Sequence, residues 1–573
     1  MRFLVPLFAP LALALTGCAA TLPPETAAAP SPTRAQGAVS SADPRATAAG
    51  EAILAQGGSA TDAAIAVMLA LTVVEPQSSG IGGGGFMLRA DGDSDDIVTI
   101  DGRETAPAAA TATRFLDAEG KVLPRETRVF SGLSVGVPGN IALAAETHEK
   151  FGKLPWAALF EPAIALARDG FVMNRRLHES LAANKGRADK TEAARATFFG
   201  ADGEPLPIGA TLTVPALADT FAALAAAGPQ AMYGADAAAG LAAYVAGETP
   251  QDGAMTAADV TAYDAKLRKP VCVRYRVYRV CGMGPPSSGG VAVGQMLGQL
   301  ERFDLAALGP DSPRFWHLFV ESQRLAYADR ELYLADADFV EVPVAGLVDP
   351  AYMASRSALI SSTSALAKVE AGTPPGAPLA RGDGPEEPEN GTTHFAVADA
   401  EGNAVSYTST VEGAFGSGLY WNGFYLNNEL TDFTLTPEAD DKPVANRVEG
   451  GKRPRSSMAP TIVYDADGRV VLVIGAAGGP TIPVQVARAI IGVVDFGLTA
   501  EAALGLPFIM SFGDVVVIEE GLLEAMENDL KALGHGNIRT SGAPLKANAL
   551  RRLPGGGWEA AVDPRLKGKL DYE

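Results

Sequence analysis

A stretch of twenty residues, GTPPGAPLARGDGPEEPENG at 372–391, constrains this chain more than any other feature. Proline and glycine at this density exclude both a helix and a central strand, and the acids leave nothing to bury. The segment is therefore expected to be exposed and mobile. It runs with no transition into TTHFAVAD, an alternating pattern that reads as a strand beginning at Asn390-Gly391-Thr392. A linker that abuts a strand this abruptly is the most unusual feature of the chain's organisation.

The stretches before and after Thr392 differ. Residues 45–74 are Ala-rich with apolar residues at helical spacing, closing at Glu75-Pro76. A glycine run, Gly80 to Gly85, follows, and Phe86-Met87-Leu88 and Ile97 to Ile100 flank Asp91-Gly92-Asp93 as a hairpin. Residues 140–270 read as mostly helical with breaks such as Gly228-Pro229, and 315–335 as another helix. After Thr392 strands dominate: Ala404 to Thr410 beyond a turn at Asp399 to Asn403, then Ile462-Val463-Tyr464 and Val470 to Ile474.

With 573 residues, 47% of them hydrophobic, the chain can bury a large core. Its formal charge of −21 repels nucleic acid and anionic lipid, so neither is an expected partner, and an acidic ligand would need a local basic group. Arg2, the apolar run Phe3 to Leu15 and Leu15-Thr16-Gly17-Cys18 have the form of a secretory signal ending in a box that resembles the bacterial lipoprotein cleavage site. This implies cleavage after residue 17 and lipid on Cys18. Ala19 after the cysteine favours outer-membrane anchoring on the periplasmic face, if the cell has two membranes. Residues 18–36, rich in Ala, Pro and Thr, form a tether. Cys272 and Cys281 would then sit in an oxidising compartment. On one straight strand from Val271 to Val280 they would lie roughly 30 Å apart, too far to bond. A bond needs a bulge or hairpin, and no Gly or Asn turn signal lies between them.

Several catalytic patterns fail on context. Gly80 to Gly85 fits GxGxxG, but a helix precedes it and a hairpin follows, the reverse of a dinucleotide site. Close backbone packing beside a site is the better reading. Gly132-Leu133-Ser134-Val135-Gly136 fits a nucleophile elbow, yet Val137-Pro138-Gly139 blocks the helix that must follow Ser134. The five histidines, His148, His178, His317, His394 and His535, lack metal-ligand spacing, and His394 on its strand reads as structural. No metal or cofactor is implied.

Thr392 stands apart. A threonine hydroxyl needs a base, and an α-amino group with a pKa of about 8 on the same residue could serve. That amine exists only if the Gly391–Thr392 bond is cut. Gly391, lacking a Cβ, lets the carbonyl before Thr392 take an open geometry in which the hydroxyl could attack it.

VVEPQSSGIGGGGFMLR from Val73, then DGRETAPAAA, SGLSVGVPGN, GPPSSGG and LAYADRELYLADADF resemble, in order, the large subunit of γ-glutamyltransferases. NGTTHFAVADAEGNAVSYTST, FGSG, LNNELTDF, KRPRSSMAPT and GAAGGP resemble the small subunit, and the match runs from about residue 35 to the C-terminus. The resemblance implies an α+β fold, the four-layer αββα sandwich of N-terminal-nucleophile hydrolases. It implies a precursor cut between Gly391 and Thr392 into a large subunit (37–391, with the linker 372–391 at its end) and a small one (392–573), which stay together as a heterodimer. By position, Arg103 matches the arginine that grips the substrate α-carboxylate, which suits a planar guanidinium. Ser456 and Ser457 match its further carboxylate contacts. Glu429 and Asp432 match the acceptors of the substrate ammonium. Gly478 and Gly479 match the oxyanion-hole donors, and Thr410 a threonine that orients the nucleophile. The implied reaction carries a γ-glutamyl group from an amide such as glutathione to Thr392, then to water or an amine acceptor.

The match departs at three places. Glu412 stands where many relatives have asparagine near the substrate amine. Thr431 replaces the first acid of a common Asp-Asp pair. Thr434 to Gly451 is short and lacks tyrosine, as in a lidless branch that includes cephalosporin and glutaryl acylases. An uncovered site would favour hydrolysis over transfer. The competing functions are a β-lactam side-chain acylase on the same fold and a non-catalytic periplasmic binding lipoprotein. Arg103, Glu429 and Asp432 together favour a substrate with an α-ammonium, since acids without a cation are costly to bury.

Overall fold

The structure is a computed structural model. It describes Met1 and residues 37–92, 94–378, 381–382, 391–542 and 546–572. The signal segment, Cys18 and the tether lie outside the described residues, as do 383–390 of the linker.

Two six-stranded antiparallel sheets form the centre. The first contains β1 (Ala38–Ser40), β2 (Gly84–Ala90), β3 (Ile97–Gly102), β4 (Lys266–Arg268), β7 (Gly391–Ala398) and β8 (Ala404–Glu412), in the order β1-β7-β8-β2-β3-β4. The second contains β5 (Val271–Tyr275), β6 (Tyr278–Gly282), β9 (Thr461–Tyr464), β10 (Val470–Ala477), β11 (Lys546–Arg552) and β12 (Trp558–Val562), in the order β12-β11-β10-β9-β6-β5. Residues from both sides of the 391/392 junction build each sheet.

Alternation along β7 sorts its side chains into two cores. Phe395 and Val397 join Val405 and Tyr407 in a cluster under the helices α1 (Pro44–Ala55) and α2 (Ala60–Val74). Ala396 and Ala398 face Ile462, Leu472 and Ile474 of the second sheet. Small alanines there let the sheets approach closely, and Phe395→Ala would cost about 3–5 kcal/mol. The outer face of the second sheet is covered by α3 (Gly289–Leu300), α4 (Pro313–Tyr333) and α5 (Ile482–Val494). Helices, sheet, sheet and helices make the four αββα layers expected. The Ala-rich stretch is two helices rather than one, broken at Gly57-Gly58. Asp43 caps the first, and a reciprocal Ser59–Asp62 capping box starts the second.

Two expectations need correction. Val271 to Val280 is not one strand: β5 and β6 form a hairpin across Arg276-Val277, and Cys272 and Cys281 face each other as a disulfide. Arg276 takes the left-handed conformation at φ 55°, held by contacts to distant groups. Its N–H meets the Glu301 carboxylate at 3.1 Å, and its guanidinium meets Asp495 at 2.9 Å and Phe303 O at 2.8 Å. The linker is not wholly exposed either. Gly372 N–H donates to Asp329 at 2.8 Å, Tyr333 O–H to Gly372 O at 2.7 Å, Gly382 N–H to Pro443 O at 3.2 Å, and Pro374 is buried.

Candidate active site

Gly391 and Thr392, joined by a peptide bond, begin β7. Pairing of β7 with β8 sets Thr410 opposite Thr392 and Glu412 opposite Gly391, with an irregular register between Thr410 and Glu412. Thr410 Oγ1–H donates to the Gly391 carbonyl at 2.7 Å, and the Glu412 N–H donates to Thr410 Oγ1 at 2.7 Å. A hydroxyl has one proton, so in its 3.1 Å contact with Thr392 Oγ1 Thr410 must accept. The proton of Thr392 therefore points at Thr410, and that of Thr410 at the carbonyl before Thr392.

The glycine run supports this arrangement. A Cβ on Gly83 would fall 1.9 Å from Thr410 O, so only glycine lets this backbone lie against the Thr410 strand. The reading of these glycines as close packing beside a site holds. Gly391 is equally confined: a Cβ there would meet Gly413 C at 2.5 Å and Glu412 O at 2.6 Å. Glu412 sits at φ 75°, a left-handed strain of about 1–3 kcal/mol, and its carboxylate accepts from Asn428 Nδ2 at 2.8 Å.

Asn428 joins this junction to the acid-bearing turn. Gly413 N–H donates to its Oδ1 at 2.8 Å, its own N–H to Val411 O at 3.1 Å, and its Nδ2 to Thr431 Oγ1 at 3.0 Å. Thr431 thus braces the turn Glu429–Asp432. From that turn Glu429 and Asp432 both pair with Arg103. Arg103 also donates to Pro454 O at 3.2 Å and Arg455 O at 3.0 Å, next to Ser456 and Ser457. Burial opposes the charge of Arg103, but Glu429, Asp432 and Glu104 outweigh it and raise its pKa. The structure brings Arg103, Glu429, Asp432 and the 454–457 segment together, with the arginine and the acids paired to one another.

Ser456 O accepts from Ser288 N–H at 2.7 Å, and Ser457 Oγ accepts from Arg330 at 2.8 Å. With Arg330 donating to its oxygen, the Ser457 hydroxyl keeps its own proton to donate elsewhere. Gly478 and Gly479 follow β10 directly, at φ 130° and 54°, and Thr481 pins the turn through its N–H and hydroxyl on Gly478 O at 3.1 and 2.8 Å.

A cleft of about 410 Å³ opens at Thr392, Ala477 and Gly478, with Arg176, Lys546, Arg565 and Lys569 in its lining. Glu179 lines it as well, and most of its basic groups have internal partners: Arg176 and Lys546 pair with Glu75, and Arg565 with Glu519 and Asp563. Glu75 lies behind it, accepting from Lys546 Nζ at 3.0 Å and from the hydroxyl of Thr393 at 3.0 Å, and pairing with Arg176. Burial, with Arg176 nearby, pushes the Lys546 ammonium well below its ordinary range.

Other candidates are structural. Ser134 Oγ donates to Val129 O at 2.7 Å and is buried. His394 meets Thr408 Oγ1 at 2.9 Å, and burial lowers its pKa to about 3. Sequence reasoning missed Asn428, Arg330, Glu75 and Lys546. The first three stand inside the recognised blocks LNNELTDF, LAYADRELYLADADF and VVEPQSSGIGGGGFMLR; Lys546 carries no local signal.

Comparison with known proteins agrees with this geometry. The family profile described as Gamma-glutamyltranspeptidase matches residues 46–572. The chain is 39% identical over 510 residues to the Glutathione hydrolase proenzyme of Bacillus subtilis (strain 168), covering 87% of this chain and 85% of that protein. It is 36% identical over 544 residues to the Acylase ACY 1 proenzyme of Pseudomonas sp. (strain SE83), covering 93% of each. Among solved structures it resembles cephalosporin acylase from Bacillus halodurans with a TM-score of 0.81 at 26% identity, covering 95% of this chain and 98% of that one.

Proposed function

This chain belongs to the γ-glutamyltranspeptidase family, and on that footing we propose that it is a self-processing γ-glutamyl hydrolase and transferase whose nucleophile is Thr392. The observation that carries this reading is the hydroxyl relay from Thr392 through Thr410 to the Gly391 carbonyl. In processing, Thr392 Oγ1 attacks the Gly391 carbonyl carbon while its proton passes to Thr410 and the proton of Thr410 passes to the carbonyl oxygen. Collapse breaks the C–N bond, protonates the Thr392 nitrogen and leaves an ester at Thr392. Water hydrolyses that ester, giving a Gly391 carboxylate and a free Thr392 with both amine and hydroxyl.

In turnover the new amine takes the proton of Thr392 Oγ1 as it attacks a γ-glutamyl amide. N–H groups at Gly478 and Gly479 receive the oxyanion. The α-carboxylate goes to Arg103, Ser456 and Ser457, and the α-ammonium to Glu429 and Asp432, with Glu412 beside them. An α-amino acid carries both charges, so its entry exchanges the internal pairs of Arg103 for pairs of the same sign pattern and leaves no charge uncompensated. The cations of the cleft at Thr392 suit a carboxylate on the amine half, as at the glycine end of glutathione. The amine leaves, and water or an acceptor amine resolves the ester. N-terminal sequencing of the smaller fragment should begin Thr-Thr-His-Phe, and Thr392→Ala should remain one band on a denaturing gel. An active preparation still continuous through residue 392 defeats the reading.

The likeness to Acylase ACY 1 and to cephalosporin acylase favours a second reading, an amidase for a glutaryl-type acyl group. Such a group lacks the ammonium, leaving Glu429 and Asp432 only Arg103 to share. Comparing kcat/KM for glutathione and a glutaryl amide separates the two.

Export and lipid anchoring at Cys18 on the periplasmic face complete the proposal. Besides the N-terminal pattern, the Cys272–Cys281 disulfide supports an oxidising compartment.

A further inference from the structure

Two sequence blocks, GPPSSGG at 284–290 and LAYADR at 325–330, have no task in the mechanism above, and the structure brings both against RSSM at 455–458. They meet at Arg330, near the end of α4 and 4% exposed. Its Nε donates to Ser288 Oγ at 2.9 Å and its Nη2 to Ser457 Oγ at 2.8 Å. Its Nη1 pairs with Glu331, which also pairs with Arg455.

Ser288 passes the contact on. Its hydroxyl and its N–H both donate to Ser456 O, at 2.8 and 2.7 Å. Ser288 stands at the N-cap of α3, where a serine oxygen ordinarily accepts from the first turn, and it makes no such bond. A guanidinium buried only as half of an ion pair needs Glu331 alone. Arg330 instead spends two of its three nitrogens on hydroxyls that lead to Ser456 and Ser457. Arg103 holds the carbonyls of Pro454 and Arg455, so the two arginines between them tie down every residue of 454–457.

The hydroxyl protons of the serine pair follow from this. A guanidinium has no acceptor, so Ser457 Oγ accepts from it, and Ser456 Oγ accepts from Met458 N–H at 3.2 Å. Each hydroxyl keeps its own proton, and among the described residues neither gives it to a protein acceptor. Two such donors on adjacent residues, one polarised by a charge-assisted bond, suit the two oxygens of a carboxylate.

We propose that Arg330 is a positioning residue for the substrate carboxylate: it fixes Ser457 directly and Ser456 through Ser288, with both hydroxyl protons left for the acyl group. This rests on the carboxylate role given to Ser456 and Ser457 above. A glutaryl group ends in a carboxylate the same number of bonds from the scissile amide, so the inference holds for either acyl group.

The test compares processed wild type, Arg330→Met, Arg330→Lys and Ser457→Ala, with processing checked by gel and folding by Tm. Loss of Arg330 leaves Glu331 paired with Arg455, so no buried acid is stranded. γ-Glutamyl-p-nitroanilide is set against 4-aminobutyryl-p-nitroanilide, which lacks only the α-carboxylate and is followed both as donor and as competitive inhibitor. Arg330→Met should lower kcat/KM for the γ-glutamyl anilide about 10–100-fold, chiefly through KM, as expected for a lost charge-assisted hydrogen bond. The anilide without the carboxylate should change by less than about threefold. Arg330→Lys keeps the charge but cannot fork to both serines, and should lie between. In a Ser457→Ala background the Arg330→Met change should cost at least about threefold less than in wild type. Equal losses on both anilides, or full additivity with Ser457→Ala, overturn the proposal. If Arg330→Met does not mature, Ser288→Ala, which cuts the Ser456 arm alone, must show the same selective loss at about 3–10-fold or the proposal fails. A wild type that cleaves glutaryl- but not γ-glutamyl-p-nitroanilide defeats the γ-glutamyl reading, and the same selective loss is then required between the glutaryl and butyryl anilides. A wild type that cleaves neither defeats both.

Discussion

Thr410 donates its only proton to the carbonyl of Gly391 at 2.7 Å, and this fixes Thr392 as the donor in the 3.1 Å contact between the two hydroxyls. The relay predicts that Thr410→Val slows conversion of the precursor to two fragments by about 100–1,000-fold, the usual cost of one donor aimed at developing oxyanion charge. Thr410→Ser keeps the hydroxyl and should process within about tenfold of wild type. A time course on a denaturing gel measures both. Equal processing of Thr410→Val and wild type removes the relay.

Gly391→Ala places a methyl group 2.5–2.6 Å from the backbone of Glu412 and Gly413. Backbone cannot rotate away as a side chain can, so the strand must shift, at about 1–3 kcal/mol. The precursor should accumulate uncut with a lowered Tm, seen by gel and calorimetry. Unchanged processing would show that the junction yields freely.

These two residues also mark what the sequence disclosed. The abrupt passage from a Pro/Gly-rich segment into an alternating strand located Thr392, and the long motif blocks located Arg103, Glu429, Asp432 and Ser456. What stayed hidden was set by distant partners. The hairpin at Arg276-Val277 has no turn signal because its left-handed residue is held by Glu301, Phe303 and Asp495. The linker docks because Asp329 and Tyr333 offer partners to Gly372. Lys546 reaches the cleft only through the pairing of β10 with β11.

Acid should destabilise the fold through two buried histidines. Burial lowers His394 to about 3 and, with His317 at 2.8 Å and Arg324, His535 to about 4. Both stay neutral in the folded chain, whereas the unfolded chain protonates them below about 6.5. Stability is therefore full above 6.5 and is lost as pH falls toward the folded values, by about 2 kcal/mol for each at pH 5. Glu104, raised to about 7, works in the opposite sense. His535→Gln isolates one contribution: its Tm should fall less steeply than that of wild type between pH 6.5 and 5. Parallel curves would refute the assignment.

Lipid on Cys18 predicts that cells fed a labelled fatty acid mark the wild-type protein and not Cys18→Ala. The variant should appear as soluble material, and the Cys272–Cys281 disulfide should form in both. Label on Cys18→Ala, or free thiols at 272 and 281 in the exported protein, counts against export through this signal.

The proposed acyl ester makes a prediction that turns on the segment 434–451. It forms a small hairpin, Glu438–Ala439 with Lys442–Pro443, with Asp440 and Asp441 left-handed at its exposed tip. Its base is tied to the site: Asn446 Nδ2 donates to Asp432 O at 2.7 Å, and Arg455 N–H to Asn446 Oδ1 at 2.9 Å. On the proposed mechanism a hairpin this short, anchored at Asp432, would leave the γ-glutamyl ester open to bulk water, and water is far more concentrated than any acceptor amine. Hydrolysis should exceed transfer even with excess glycylglycine, with free glutamate outweighing the γ-glutamyl dipeptide in the product mixture. Shortening the tip by removing Asp440 and Asp441, both exposed, should change that ratio by less than about twofold. Dominant dipeptide in the wild type would mean that this hairpin closes over the ester after all.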